Sequence, residues 1–180
     1  MMDDQKRIDI RFFLLFIPVA YGSYLFHEFG HWSVGEILGN RMAYSLNYVW
    51  PKDGSYIQPG HDLYVLIGGP SFSVLQAALA LLIIEKFKLL YVYPLAFFPM
   101  FNRFFSLLFG GFSKQDEAKI SALMGTGTFL VAFIVLVILL SIVIRSSYKL
   151  RIGLQTNAYI LTVSTVCQVL VIGTYEFIKL

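Results

Sequence analysis

The sequence predicts an all-α membrane protein of about five transmembrane helices, with a short re-entrant or interfacial β-hairpin after the first. Three observations carry that expectation. Charged residues make up only 14% of the 180 residues and hydrophobic ones 57%, whereas soluble domains carry about 25% charge. Uncharged stretches recur at 63–84, 120–144 and 152–175, each long enough to cross a hydrocarbon core of about 30 Å as a helix. Two more are nearly as apolar: 89–112 is interrupted by Arg103 alone, and 12–35 by His27, Glu28 and His31 alone. A soluble core would show shorter apolar segments.

We call the face that holds the N-terminus side A and the opposite face side B. The first span, 11–38, runs from A to B, and the second, 62–84, returns. The third, 89–110, goes to B, the fourth, 116–145, comes back, and the fifth, 153–178, ends at B. Lys6, Arg7 and Arg11 ahead of an apolar run resemble the start of a signal peptide. The run continues through Phe29 and Ile37, so it reads as a retained helix.

Loops on side A are short. Residues 39–61 on side B differ in kind. Tyr44, Leu46, Tyr48 and Trp50 alternate with smaller or more polar residues, and Pro51-Lys52-Asp53-Gly54 is a turn signal before 55–59. The pattern predicts a β-hairpin, although an aromatic belt at the interface would recruit the same side chains. Side A carries eight basic residues: Lys6, Arg7, Arg11, Lys86, Lys88, Arg145, Lys149 and Arg151. Side B carries five: Arg41, Lys52, Lys114, Lys119 and Lys179. This excess leans toward A as the cytoplasmic face without fixing the orientation.

Residues 1–180 are expected to form one integral membrane domain, in the cell membrane, without repeats or low-complexity tracts. The single cysteine, Cys167, permits no internal disulfide. A net charge of +3 is too small to suggest a nucleic-acid partner.

Chemistry enters at His27-Glu28-Phe29-Gly30-His31, a His-Glu-x-x-His sequence inside the first span. Residues four apart share a helix face, so both imidazoles can reach one metal ion. Glu28 sits beside that line, where a carboxylate can take a proton from water. Zinc in such a site lowers the pKa of its water toward about 7 and polarises a carbonyl, and it takes three protein ligands. Ionisable groups within a span are costly, roughly 2.5–3.5 kcal/mol each on an insertion scale, and mark function by default. The competing readings are a buried His–Glu hydrogen-bonded cluster and a proton-carrying Glu28 in a small transporter.

The third ligand is open on chemistry alone. Asp116 starts the fourth span on side B, the same face as the histidines, although Ser113 to Asp116 also reads as a capping box. His61 and Asp62, at the start of the second span, compete, as do the carboxylates of Glu36, Asp53 and Glu117. Gly68-Gly69-Pro70 permits close helix approach and leaves the Leu66 carbonyl without its helical donor. At about 1.5 Å of rise per residue, His27, Gly68 to Pro70, and Asn102 fall at similar depths below side B. A shared cavity open to that side would need such convergence.

With these residues in view, the chain resembles the site-2 protease family of intramembrane zinc metalloproteases. The resemblance spans about 12–122, with 123–180 as additional transmembrane helices. It rests on the His-Glu-x-x-His in a span, the hairpin-like 44–57, Gly68-Gly69-Pro70 opening the next span, Asn102, and then Asp116-Glu117. It implies one Zn2+ per chain held by His27, His31 and Asp116, with Glu28 as general base. It also implies a transmembrane protein or peptide substrate, cleaved in or near its membrane segment within the lipid bilayer. Asn102 would contact substrate or water, with Gly69 and Pro70 lining the substrate path. The hairpin could pair with an unwound substrate strand. Family members usually place the ligand Asp before Gly, shortly after Asn-x-x-Pro. Here Asp116 precedes Glu117 and follows Asn102 by fourteen residues, without that proline. A catalytically silent scaffold of the same fold, binding transmembrane partners, is the main rival to the enzyme.

Overall fold

The computed structural model describes residues 9–110 and 115–179. Among them, five helical stretches are long and apolar enough to cross a membrane: Ile10–Ile37, His61–Phe87, Leu90–Phe109, Leu130–Leu150 and Leu154–Ile178. The all-α membrane fold expected from the sequence is therefore present, with one small two-stranded sheet.

The first stretch is α1 (Ile10–Leu14) continued by α2 (Phe16–Ile37). Asp9 caps it, its side chain accepting from the Phe12 N–H at 3.0 Å. Next comes α3 (His61–Phe87), which ends on Lys88 in the left-handed conformation, φ 52°. A 3₁₀ turn, Leu90–Val92, leads into α4 (Tyr93–Phe105), which widens into a π-turn at Ser106–Gly110.

The fourth span does not begin where the uncharged run begins. Asp116–Leu123 is a separate short helix, α5, and the long helix α6 is Leu130–Leu150. Gly125 and Gly127 cause the break, with φ of +68° and +85°, a backbone region that glycine enters freely and other residues avoid. The fully buried Ser121 bridges it: its Oγ accepts from the Val131 N–H at 3.1 Å, satisfying a donor at the start of α6. Ser113 lies outside the described residues, and the N-cap position of α5 is Gln115, which makes no side-chain cap bond. The last helix, α7, is Leu154–Lys179.

The hairpin exists but turns earlier than expected. Strand β1 (Met42–Tyr44) pairs antiparallel with β2 (Val49–Pro51) in the register Met42↔Pro51, Ala43↔Trp50, Tyr44↔Val49. Its turn is therefore 45–48, closed by Ser45, whose N–H and Oγ both donate to the Tyr48 carbonyl at 2.9 Å. The sequence signal at Pro51 to Gly54 is a second turn that ends β2, with Gly54 N–H donating to Pro51 O at 3.2 Å. The hairpin folds back along α2. Met42 is buried in the space left by Gly35, and the Tyr44 hydroxyl donates to the Leu25 carbonyl at 2.8 Å.

The core is aromatic and aliphatic: Phe12, Phe16, Tyr93, Phe98, Phe101, Ile84, Leu139 and Ile160 are almost fully enclosed between helices. The opposite faces are apolar and exposed, with Phe133, Ile138 and Ile144 on α6 as examples. An apolar outer surface over an equally apolar interior is what lipid requires of a helical bundle. Polar side chains tie α7 to it. Tyr21 reaches Thr174 at 2.6 Å, and Gln168 donates both to the Tyr24 hydroxyl and, at 3.0 Å, to Asn102 Oδ1.

Candidate metal centre

His27 and His31 lie one turn apart on α2 and face α3. Both are buried, each 6% exposed. Their rings fit because α3 offers no side chain at that point: a Cβ on Gly69 would collide with His31 Nε2 and approach His27 Cε1 at 2.6 Å. One residue earlier the two backbones touch, since a Cβ on Gly30 would lie 2.5 Å from Gly68 O. Gly68 and Gly69 thus form the cradle of the site. Pro70 stands beside it, lining a cavity of about 300 Å3 between α3, α5 and α6 with Ile67, Ile120 and Val131.

Three donor atoms converge. His27 Nε2 and His31 Nε2 are 3.2 Å apart, and Asp116 Oδ2 lies 3.1 Å from the first and 3.3 Å from the second. A divalent ion bonded at about 2.0–2.2 Å with tetrahedral angles holds its ligand atoms about 3.3 Å apart. Glu28 is the neighbouring donor; its carboxylate and the two imidazoles all lie within 4.8 Å of one another. This buried His27, Glu28 and His31 group could bind a metal ion.

Surrounding groups set the ring orientations. His31 Nδ1 is 2.7 Å from the Val65 carbonyl, which can only accept, so Nδ1 carries the proton and Nε2 keeps its lone pair. The Gly69 N–H also approaches Nδ1, but at 3.3 Å; one nitrogen cannot both donate and accept there, and the shorter contact decides. His27 Nδ1 is 2.9 Å from Ser73 Oγ and 2.8 Å from Arg103 Nη2, which can only donate, so the contacts at that nitrogen do not by themselves fix the His27 tautomer. Metal-ligating histidines are characteristically fixed through the second nitrogen. Glu28 is 6% exposed, and among the described residues it has no hydrogen-bond partner.

Asp116 lies outside the five long apolar helices. Charge balance also fits a cation. Arg103 and Glu117 cancel as an ion pair, Nε to Oε1 at 3.1 Å. With that pair cancelled, the Asp116 carboxylate would leave a negative charge beside the two imidazoles, which a cation would offset.

Four of the five competing ligands are engaged elsewhere. His61 is 3.1 Å from the Asn40 amide, Glu36 accepts from the Met42 N–H at 2.8 Å, and Asp53 pairs with Arg41 at the surface. Glu117 pairs with Arg103. Asn102 bonds to Gln168 on α7, whereas its neighbour Arg103 turns into the site, with Nη2 2.8 Å from His27 Nδ1. The sequence alone does not assign Arg103, Ser73 or the Val65 carbonyl to the site. Arg103 was findable, as the one basic residue inside 89–112, and so was Ser73, which lies one helical turn after Gly69.

A larger cavity, about 500 Å3, opens between the hairpin and the end of α7, lined by Leu46, Tyr48, Trp50 and Tyr175. None of the metal donors lines it. Tyr48 and Trp50 stack across its wall, with ring centroids 5.5 Å apart.

No known protein family, curated protein sequence or solved structure matches this chain.

Proposed function

We propose that this protein is a zinc-dependent intramembrane endopeptidase of the site-2 protease type, a multi-pass protein that hydrolyses peptide bonds in or near membrane segments of other proteins. One observation carries the reading: two imidazole nitrogens and a carboxylate oxygen meet within 3.3 Å, inside a helical bundle, beside an unpartnered glutamate. His27, His31 and Asp116 would hold the zinc. When bound, zinc supplies Lewis acidity toward a carbonyl and toward water.

The chain's own groups have defined tasks. Glu28 takes a proton from the attacking water and returns it to the departing amine nitrogen. Val65 O would hold the His31 ring with its Nε2 lone pair toward an ion, and Ser73 Oγ would brace the His27 ring. The substrate must arrive unwound, because an intact helix shields its carbonyls. The hairpin suits an extended strand. In the two-stranded sheet β1 pairs with β2 alone, which leaves its other edge without a strand among the described residues. Trp50 and Tyr48 offer an aromatic wall toward the 500 Å3 cavity.

Metal analysis of the purified protein tests the reading. Wild type is expected to hold about one zinc per chain, and His27→Ala and Asp116→Ala to lose it, while His61→Ala retains it. Zinc held equally by Asp116→Ala would remove Asp116 as the third ligand. A wild type without affinity for zinc would end the proposal.

A further inference from the structure

We infer that Arg103 is a catalytic residue of this reaction, its Nη2 donating to the scissile carbonyl oxygen as that oxygen gains negative charge. The inference rests on the metal reading of His27, His31 and Asp116.

Arg103 is buried, 8% exposed, and Glu117 is more deeply buried at 1%. Glu117 Oε2 accepts from Nη1 at 3.2 Å, and Oε1 lies 3.1 Å from Nε. These contacts pin one part of the guanidinium and leave Nη2 directed at His27, 2.8 Å from Nδ1 and 3.1 Å from Nε2. A guanidinium only donates. Once an ion occupies Nε2 and the Nδ1 proton goes to Ser73 Oγ, His27 has no lone pair left for Nη2.

Nη2 is then a charged, buried donor without an acceptor, a costly arrangement unless something completes it. It stands 3.1 Å from His27 Nε2, one of the three converging donor atoms, so a carbonyl oxygen drawn to an ion held by them would come within its reach. An oxygen gaining charge there is the acceptor that Nη2 lacks, and a donor fixed in advance costs no reorganisation when the charge develops. Among the described residues, Arg103 is the one Lys or Arg side chain that bonds to this donor set. The chemistry balances without covalent participation by Arg103. A C–O bond forms from water, the C–N bond breaks, Glu28 carries the proton from water to nitrogen, and Arg103 stays protonated throughout.

The test uses the full chain in detergent micelles, loaded with Co2+ and titrated with inorganic phosphate, a tetrahedral oxyanion, with the visible cobalt absorption as readout. Arg103→Lys and Arg103→Met are both expected to bind about one cobalt per chain with wild-type affinity. Phosphate affinity is expected to fall roughly 10- to 100-fold in Arg103→Met, the range for a lost charge-assisted hydrogen bond, and less in Arg103→Lys. Equal or undetectable phosphate binding in all three cobalt-loaded proteins overturns the inference and leaves the metal site standing. Loss of cobalt from both variants also overturns it, assigning Arg103 to the support of His27. A wild type that binds no cobalt strikes the metal reading itself, and this inference falls with it.

Discussion

Glu28→Gln is expected to keep metal content at the wild-type level and to lower peptide cleavage by about 10²- to 10⁴-fold, the usual contribution of a positioned general base. Glutamine has the same shape and is neutral, so the fit between α2 and α3 survives. What it loses is the ability to take a proton. The effect should fall on chemistry alone, because Glu28 has no hydrogen bond among the described residues whose loss could loosen the fold. Zinc measured beside cleavage of a reconstituted transmembrane peptide, read by mass spectrometry, checks both halves. Undiminished turnover would take the base role from Glu28. Undiminished cellular function, in a protein that never cleaves, would favour the silent scaffold. Proton flux into liposomes that requires Glu28, again without cleavage, would favour the transporter.

Gly30→Ala should be among the most damaging single-methyl additions to this protein, whereas Gly22→Ala on the same helix should be harmless. A Cβ on Gly30 meets backbone, with Gly68 O at 2.5 Å and Gly68 C at 2.9 Å, and no flexible side chain can yield. The two helices must separate, at a cost of about 1–3 kcal/mol for overpacking. Separation also stretches the 2.7 Å contact between His31 Nδ1 and Val65 O, so metal affinity should fall along with stability. A Cβ on Gly22 meets nothing within 4 Å, and alanine is the better helix former by about 1 kcal/mol. Unfolding in mixed micelles, with metal titration on each variant, tests the pair. Equal behaviour of the two would mean that α2 and α3 do not touch at Gly30.

The helices and the two histidines were legible because their signals are local. Span length is read directly from uncharged runs, and the i, i+4 spacing places His27 and His31 on one face. The fourth span misled because hydropathy does not register backbone conformation. Residues 120–144 are uncharged throughout, yet Gly125 and Gly127 take positive φ and cut α5 from α6. The hairpin turn misled for a related reason. Pro51 to Gly54 carries the stronger turn chemistry, but the strand pairing closes through Ser45.

Which polar residue of α4 enters the site could not be read either. Asn102 and Arg103 are adjacent, and helix rotation alone sends the first to Gln168 and the second to His27. That rotation is set by packing across several helices, which no short motif encodes.

The adjacency of Asp116 and Glu117 has a thermodynamic consequence. A short helix joined to the bundle through glycine turns would ordinarily have to be ordered by the ion it helps to bind, and affinity would fall by that amount. Here the carboxylate next in sequence is anchored to α4 through Arg103, so that ion pair, rather than a cation, would hold Asp116 toward the two imidazoles. A centre built this way would be preorganised, and its selectivity among ions would be set by coordination chemistry rather than by the entropy of capturing a loose segment.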